Sequence, residues 1–416
     1  MGKGITGRLF KGDRVIWCVF FILCVLSLIE VFSASSRQTY NTSYWAPITK
    51  HAIFVIAGVG VAWFMHNMKA EWIKGFTKFT YILGVLMLIY ALTPGGVTRN
   101  GSTRWIYIGF EFQHFEVVKL GIVMIISYIL TKAQCEKGTR LSWESALSLI
   151  NLRPKSEKKG DFTMLAILVA VAIPSIFIFT ENLSTILILG TVTLAMMFIG
   201  CVNFKHLFML VGGFVLIGGL GVITLLSLPE NLADKGSFGS KVITWKHRLV
   251  GDKLPSDPKD VKISGKEQRI YSKIAIAEGG LVGKGPGNSV RRDYIPHAYS
   301  DFIFAIILEE LGIAGGLLTI ILYLTLLYRC GIIAKNCDDP YAAFLAIGIG
   351  ILITIQALMH MFITVGDFIT GQPLPLVSQG GTSFLVNCMY IGIVLSISRY
   401  ANKVAQKESI AQKSAV

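Results

Sequence analysis

Ten apolar stretches, most near the roughly 20 residues a helix needs to cross a bilayer, limit what this chain can fold into. They are Val15–Ala34, His51–His66, Phe79–Thr93, Val117–Leu130, Phe162–Phe179, Leu183–Gly200, Leu207–Leu228, Phe302–Tyr328, Ala342–Val365 and Phe384–Ser398. The second and fourth are short, which points to tilted or broken spans. Hydrocarbon offers no water to unpaired backbone groups, so such spans must be helical. The expected fold is an all-α polytopic membrane protein of ten transmembrane helices, one membrane domain over residues 1–416. Charged residues make up only 15% of the chain, against about 25% in soluble domains. The first apolar stretch is followed by more of the same kind, so it reads as a span and not a cleaved leader.

Lys and Arg collect in alternate short loops, which sets the orientation. Lys3, Arg8, Lys11 and Arg14, then Lys69, Lys74 and Lys78, the segment 132–159, Lys205, Arg329, Lys335 and the tail from Arg399 fall on one side. The opposite short loops hold only Arg37, Lys50, Arg99 and Arg104. Both termini are therefore expected in the cytoplasm. With a net charge of +14, this bias accounts for over half of the basic residues and removes the need for a nucleic-acid partner.

The segment Pro229–Asp301 breaks the pattern. It forms a large extracellular loop between helices 7 and 8, with no long apolar block. It carries thirteen Lys and Arg, which topology does not explain because long loops cross largely regardless of charge. Basic residues beside a bilayer suit an anionic headgroup such as a lipid pyrophosphate; an ordinary solvated loop is the plain alternative. Within it, Asp257-Pro258 marks a turn, and Gln268 and Lys273 lie on a helix expected over Glu267–Glu278. The glycine run Gly279–Gly287 lacks the Walker spacing and a preceding strand, so it is not a nucleotide loop. It is expected to bring backbone close to a headgroup or to turn sharply at the membrane edge.

Three more polar constellations interrupt the apolar pattern. Asn100-Gly-Ser-Thr-Arg-Trp-Ile106 places Arg104 and Trp105 at an expected helix mouth, and Glu116 and Lys119 follow at helical spacing. The latter two either line a functional cavity or form a structural ion pair. Glu181–Thr185 reads as a turn between spans. Gly371–Ser383, with Ser378 at its centre, has the prolines and glycines of a re-entrant turn, which must be buried in protein or line water. Glu309 and Glu310 stand inside an apolar block and require polar partners. The seven cysteines include no Cys-x-x-Cys pair, so neither a zinc site nor a disulfide framework is expected.

Together these segments resemble the SEDS family, the shape, elongation, division and sporulation proteins (FtsW, RodA, SpoVE). The likeness covers nearly the whole chain. It rests on Lys273-Ile-Ala-Ile-Ala-Glu-Gly-Gly-Leu-Val-Gly-Lys-Gly-Pro-Gly-Asn-Ser289, Pro296-His-Ala-Tyr-Ser-Asp301, Glu309-Glu-Leu-Gly312, Pro373–Ser383 and Asn100–Ile106, in that family's order. The Gly-Pro-Gly-Asn-Ser wording is nearer the FtsW branch. Departures are His114-Phe115 where the family has Pro-Ser, Asn182 for its Asp, His360 for its Asn, and extra residues between Asp257-Pro258 and Gln268.

The resemblance implies a peptidoglycan glycosyltransferase in the bacterial cytoplasmic membrane that polymerises lipid II on the outer face, in cell division or elongation. A sugar hydroxyl attacks the anomeric carbon and undecaprenyl pyrophosphate leaves. A loop carboxylate serves as general base: Asp257, which keeps the proline, with Asp260 beside it and Asp252 third. Arg248, Lys273, Gln268, Arg104, Glu116, Lys119 and Ser378 are the implied substrate-binding set. Mg²⁺ or Mn²⁺ would be shared with the pyrophosphate, with no metal site of the protein's own. A class B penicillin-binding protein, a transpeptidase, is the implied partner, alongside other divisome or elongasome membrane proteins. A lipid-linked precursor flippase is the competing class, since charged cavities and broken spans also suit a transporter.

Overall fold

The computed structural model of the chain describes residues 10–35, 45–99, 102–135, 157–179, 181–202 and 265–414 except 296 and 367–371, with a few positions between 207 and 227. Each expected block other than Leu207–Leu228, which falls almost wholly outside the described residues, coincides with a helix. The helices are α1 (Arg14–Ala34), α2 (Ala46–Asn67), α3 (Ala70–Gly75), α4 (Thr77–Ala91), α5 (His114–Cys135), α6 (Glu157–Phe179) and α7 (Leu183–Ile199). After them come α8 (Gly265–Gly279), α9 (Ile303–Lys335), α10 (Pro340–Val365) and α11 (Thr382–Ser414). Six contain a stretch long and apolar enough to cross a membrane: α1, α2, α5, α9, α10 and α11. The chain is an integral membrane protein of mostly helical structure.

Local chemistry sets the helix ends. Asp13 caps α1 by accepting from the Val15 and Ile16 amides (2.9 and 3.1 Å), and its other oxygen takes Arg329 Nε of α9 at 2.9 Å. Asp339 caps α10 ahead of Pro340, whose ring suits the first helical turn. Asn182 caps α7 through the Thr185 amide. α5, α10 and α11 are buried along most of their spans, whereas α2 and α4 turn wide apolar faces outward. Lipid-facing packing lacks a hydrophobic drive, so helices approach through small residues. A methyl added at Gly58 of α2 would lie 2.6 Å from Cys388 Sγ of α11, and one at Gly392 of α11 would lie 2.6 Å from Ala62 O of α2.

Among the described residues, one element departs from the all-helical expectation. Between α4 and α5, Gly96–Arg99 (β1), Ser102–Tyr107 (β2) and Glu111–Phe112 (β3) form an antiparallel sheet in the order β1-β2-β3. Arg104 and Trp105 therefore sit on a strand, not at a helix mouth. The run Ser-Thr-Arg-Trp-Ile-Tyr is rich in β-branched and aromatic residues, which favour a pleated surface.

α9 is broken. Gly312 has φ +66° inside it, and the segment 280–285 is spliced into the gap. An unbroken helix would pair Ile313 N with Glu309 O and Ala314 N with Glu310 O. Instead Ile313 and Ala314 donate to Gly280 O and Leu281 O (2.9 and 3.2 Å), while Lys284 and Gly285 donate to Glu309 O and Glu310 O (3.0 and 2.8 Å). Both severed hydrogen bonds are thus replaced at each end. The glycine run makes the sharp turn anticipated for it. At its closest point, however, it approaches the backbone of α9: a methyl on Gly283 would lie 2.2 Å from Glu310 O.

Candidate functional site

Most of the candidate residues that the structure describes converge at the end of the bundle that carries the hairpin. Deepest is a closed ion pair. Glu116 and Lys119, one turn apart on α5, meet at 2.6 Å with 0% and 1% side-chain exposure. Gln356 of α10 accepts from Lys119 Nζ at 2.7 Å and donates to Glu116 Oε1 at 3.4 Å. Tyr390 of α11 donates to Glu116 O at 2.5 Å. Three helices therefore satisfy the pair, and buried charges are retained only when paired in this way. Sequence reasoning paired Glu116 with Lys119. It did not find Tyr390, and the relevant signal was a hydroxyl within an apolar span.

Above this pair lies the described part of the re-entrant segment, 372–381, buried between α10 and α11. Its contacts are with protein. His360 Nδ1 donates to Gln372 O at 2.6 Å, and Gln372 Nε2 donates to Thr185 Oγ1 at 2.8 Å. Ser378 Oγ accepts from Leu374 N and donates to Ser300 O (2.8 and 2.7 Å). The Ser378 hydroxyl thus ties this segment to the Pro296–Asp301 motif. Tyr323 OH reaches Pro375 O from α9, and Thr382 Oγ1 accepts the Gln113 amide that precedes α5.

At the mouth, Arg104 on β2 lies in the field of two carboxylates, Asp301 and Glu181. Desolvation lowers its pKa, and those two groups oppose the shift. Glu181 accepts the Thr103 amide at 2.6 Å, which docks the hairpin onto the break between α6 and α7. Glu181 and Asp301 are the acidic neighbours that spacing alone did not bring to Arg104.

α8 runs from Gly265 to Gly279, close to its expected bounds, and packs on α9 and α10. Gln268 is half-buried and shares a face with Ser272, whose hydroxyl reaches Thr364 O of α10 at 3.2 Å; Lys273 is exposed on another face. Beyond α8, Glu309 and Glu310 collect the donors of the glycine segment. Glu309 takes Lys284 Nζ at 2.6 Å, the Val290 amide at 3.0 Å and Ser289 Oγ. Glu310 takes the Gly287 and Ser289 amides (2.8 and 3.0 Å) and Ser33 Oγ of α1. Arg248, Asp257 and Asp260 lie outside the described residues, as does Asp252.

A helical membrane protein with a spliced span, a sealed central ion pair and an arginine set between two carboxylates at the hairpin defines the class. Comparison with known sequences then gives the family: residues 13–403 match the FtsW/RodA/SpoVE model, described as cell cycle protein, and the chain belongs to that family. It is 29% identical to a protein named probable peptidoglycan glycosyltransferase FtsW from Coxiella burnetii, over 93% of this chain and 98% of that one. It is 28% identical to stage V sporulation protein E of Bacillus subtilis, over 95% of this chain and 100% of that one. Among solved structures, a chain of a peptidoglycan synthase complex studied for coordination of polymerization and crosslinking superposes with TM-score 0.62 at 18% identity, over 93% of this chain and 98% of that one. The rod shape determining protein RodA of Thermus thermophilus gives 0.58 at 18% identity, over 93% and 97%. At that identity the structures attest the shared fold.

Proposed function

We propose that this chain is a peptidoglycan glycosyltransferase that polymerises lipid II on the outer face of the bacterial cytoplasmic membrane. The observation that carries the reading is the end-to-end family match, with relatives bearing that activity in their names. The proposed topology has ten spans, both termini in the cytoplasm and residues 229–301 outside. A class B penicillin-binding protein is the proposed partner, a reading supported by the likeness to a chain of a peptidoglycan synthase complex that coordinates polymerization and crosslinking.

Asp257 takes the proton from the acceptor sugar hydroxyl, with Asp260 as the alternative base. The hydroxyl oxygen attacks the anomeric carbon of an α-linked donor; the bond to pyrophosphate breaks and a β-linkage forms. Charge gathers on the departing pyrophosphate, where Arg104, Arg248 and Lys273 are assigned to meet it. Gln268 and Ser378 are assigned to shape the loop and the wall beside it. Glu116 and Lys119 lie sealed behind that wall, so their proposed role is to hold α5, α10 and α11 in register beneath the substrate. Glu116, Glu309 and Glu310 are each taken up by N–H, ammonium or hydroxyl donors. Any divalent ion is assigned to the pyrophosphate, with which it would enter.

The test is polymerisation of purified lipid II by the full chain with its transpeptidase partner. Wild type should make glycan, and Asp257→Ala should not. Glycan from both Asp257→Ala and Asp260→Ala would refute the general-base assignment. Lipid movement across vesicles without glycan would favour the flippase class.

A further inference from the structure

Glu30 of α1 has no place in the site above. Its side chain is fully buried, at 0% exposure, and neither carboxyl oxygen has a hydrogen-bond partner. It stands one turn before Ser33 on the same helix face, and Ser33 donates to Glu310 of α9. Glu30 therefore faces α9 at the seam where the glycine segment is fastened. Glu310 is saturated there by the Gly287 and Ser289 amides and the Ser33 hydroxyl. Arg292 Nη1 is taken up by Ser33 Oγ at 2.8 Å and Gly287 O at 2.9 Å, and its buried Nε makes no hydrogen bond, to Glu30 or to any other group. The other titratable groups on the packed elements are also engaged. Glu309 holds Lys284. His51 of α2 bonds Ser27 Oγ, whose proton goes to Val377 O. Asp13 and Arg329 pair at the opposite end of α1.

An ionised carboxylate in this position would have no donor and a like charge as its neighbour. Within a span, isolated charge costs several kcal/mol or more, so such a group takes up a counter-charge. Glu310 has three donors and Glu30 has none, so Glu30 is the carboxyl left to bind a proton. We propose that Glu30 is a proton-binding site, loaded while the α1–α9 seam is closed, and that losing its proton loosens the seam and frees segment 284–292. This inference is independent of the transferase reading. Protonation adds one O–H bond to the carboxyl and neutralises it; release returns the proton to solvent and sets two carboxylates against each other across the seam.

The direct test is infrared difference spectroscopy of the full chain in lipid nanodiscs, comparing wild type with Glu30→Gln. At neutral pH the wild type should show a protonated-carboxyl C=O band, shifted in heavy water, that the variant loses. Absence of that band in a folded wild type overturns the proposal. The second measurement is amide exchange over 284–292 as pH rises, corrected for intrinsic exchange rates. In wild type, opening should increase by up to about tenfold per pH unit once the proton leaves, while Glu30→Gln should stay flat. Equal slopes in both proteins would remove the coupling to the seam. Should Glu30→Gln fail to fold, Glu30→Met, which also carries no charge, serves for both measurements.

Discussion

Gly283 and Gly312 lie back to back at the break in α9: a methyl on either would come within 2.5 Å of the other's amide nitrogen. Both have positive φ, +83° and +66°, so each position excludes a side chain on two counts. Neither glycine can be replaced without moving the splice.

Gly283→Ala and Gly312→Ala should each destabilise the protein by about 3 kcal/mol or more, since strain and overlap with backbone combine. Gly280→Ala is the control. Its φ is +58° but open space surrounds it, so only the left-handed penalty of about 1–2 kcal/mol applies. Thermal unfolding in one detergent should rank the three variants in that order.

Breaking the Glu116–Lys119 pair should be costly, and removing it whole should not. Glu116→Ala or Lys119→Ala leaves a buried charge unpaired, at about 3–5 kcal/mol. Glu116→Leu combined with Lys119→Met should recover much of that loss. If the double variant is stable and still polymerises lipid II, the pair is a structural device. If it is stable and inactive, the charges serve the reaction.

Arg104→Ala should lower the polymerisation rate by about 10²–10³-fold if its guanidinium meets the leaving pyrophosphate. Arg104→Lys should recover only part, because a point charge does not replace a planar fork. A loss confined to KM would instead make Arg104 a ground-state contact.

Acid should loosen the surface knot around Glu278. Hydrogen bonds from Arg291 and then Lys284 hold its pKa down at about 2. A group depressed in the folded state adds stability above its unfolded value, near 4.3, and loses it as pH falls through the folded one. Exchange over 284–291 should therefore quicken between about pH 4 and 2. Glu278→Gln should remove that acid step, and an unchanged profile would show that the knot contributes nothing.

Much of this architecture was legible from runs of apolar residues, because span length and helical pairing are imposed by the bilayer itself. Glu309 and Glu310 were legible as groups in need of partners. Their partners were not, since many of the donors are backbone amides, those of Gly287, Ser289 and Val290, which any residue type can supply. The hairpin was missed for a related reason: it is too short to show a period, and Arg104 beside Trp105 also fits a helix end at the membrane interface. Glu30 was overlooked because one acid barely dents the hydropathy of a 21-residue helix. Its significance emerges only when α9 is packed against it.

The splice in α9 also bears on what can be exchanged between relatives. Residues 280–285 complete the hydrogen-bond ladder of a membrane helix, although they belong by sequence to the loop before it. That loop is consequently not a detachable module. A chimera that takes the loop from another family member but keeps this α9 would leave four backbone groups to find new partners inside the bundle. The natural unit of transplantation runs from α8 past Ala314, and a border drawn at Asp301 would cut through a single structural joint.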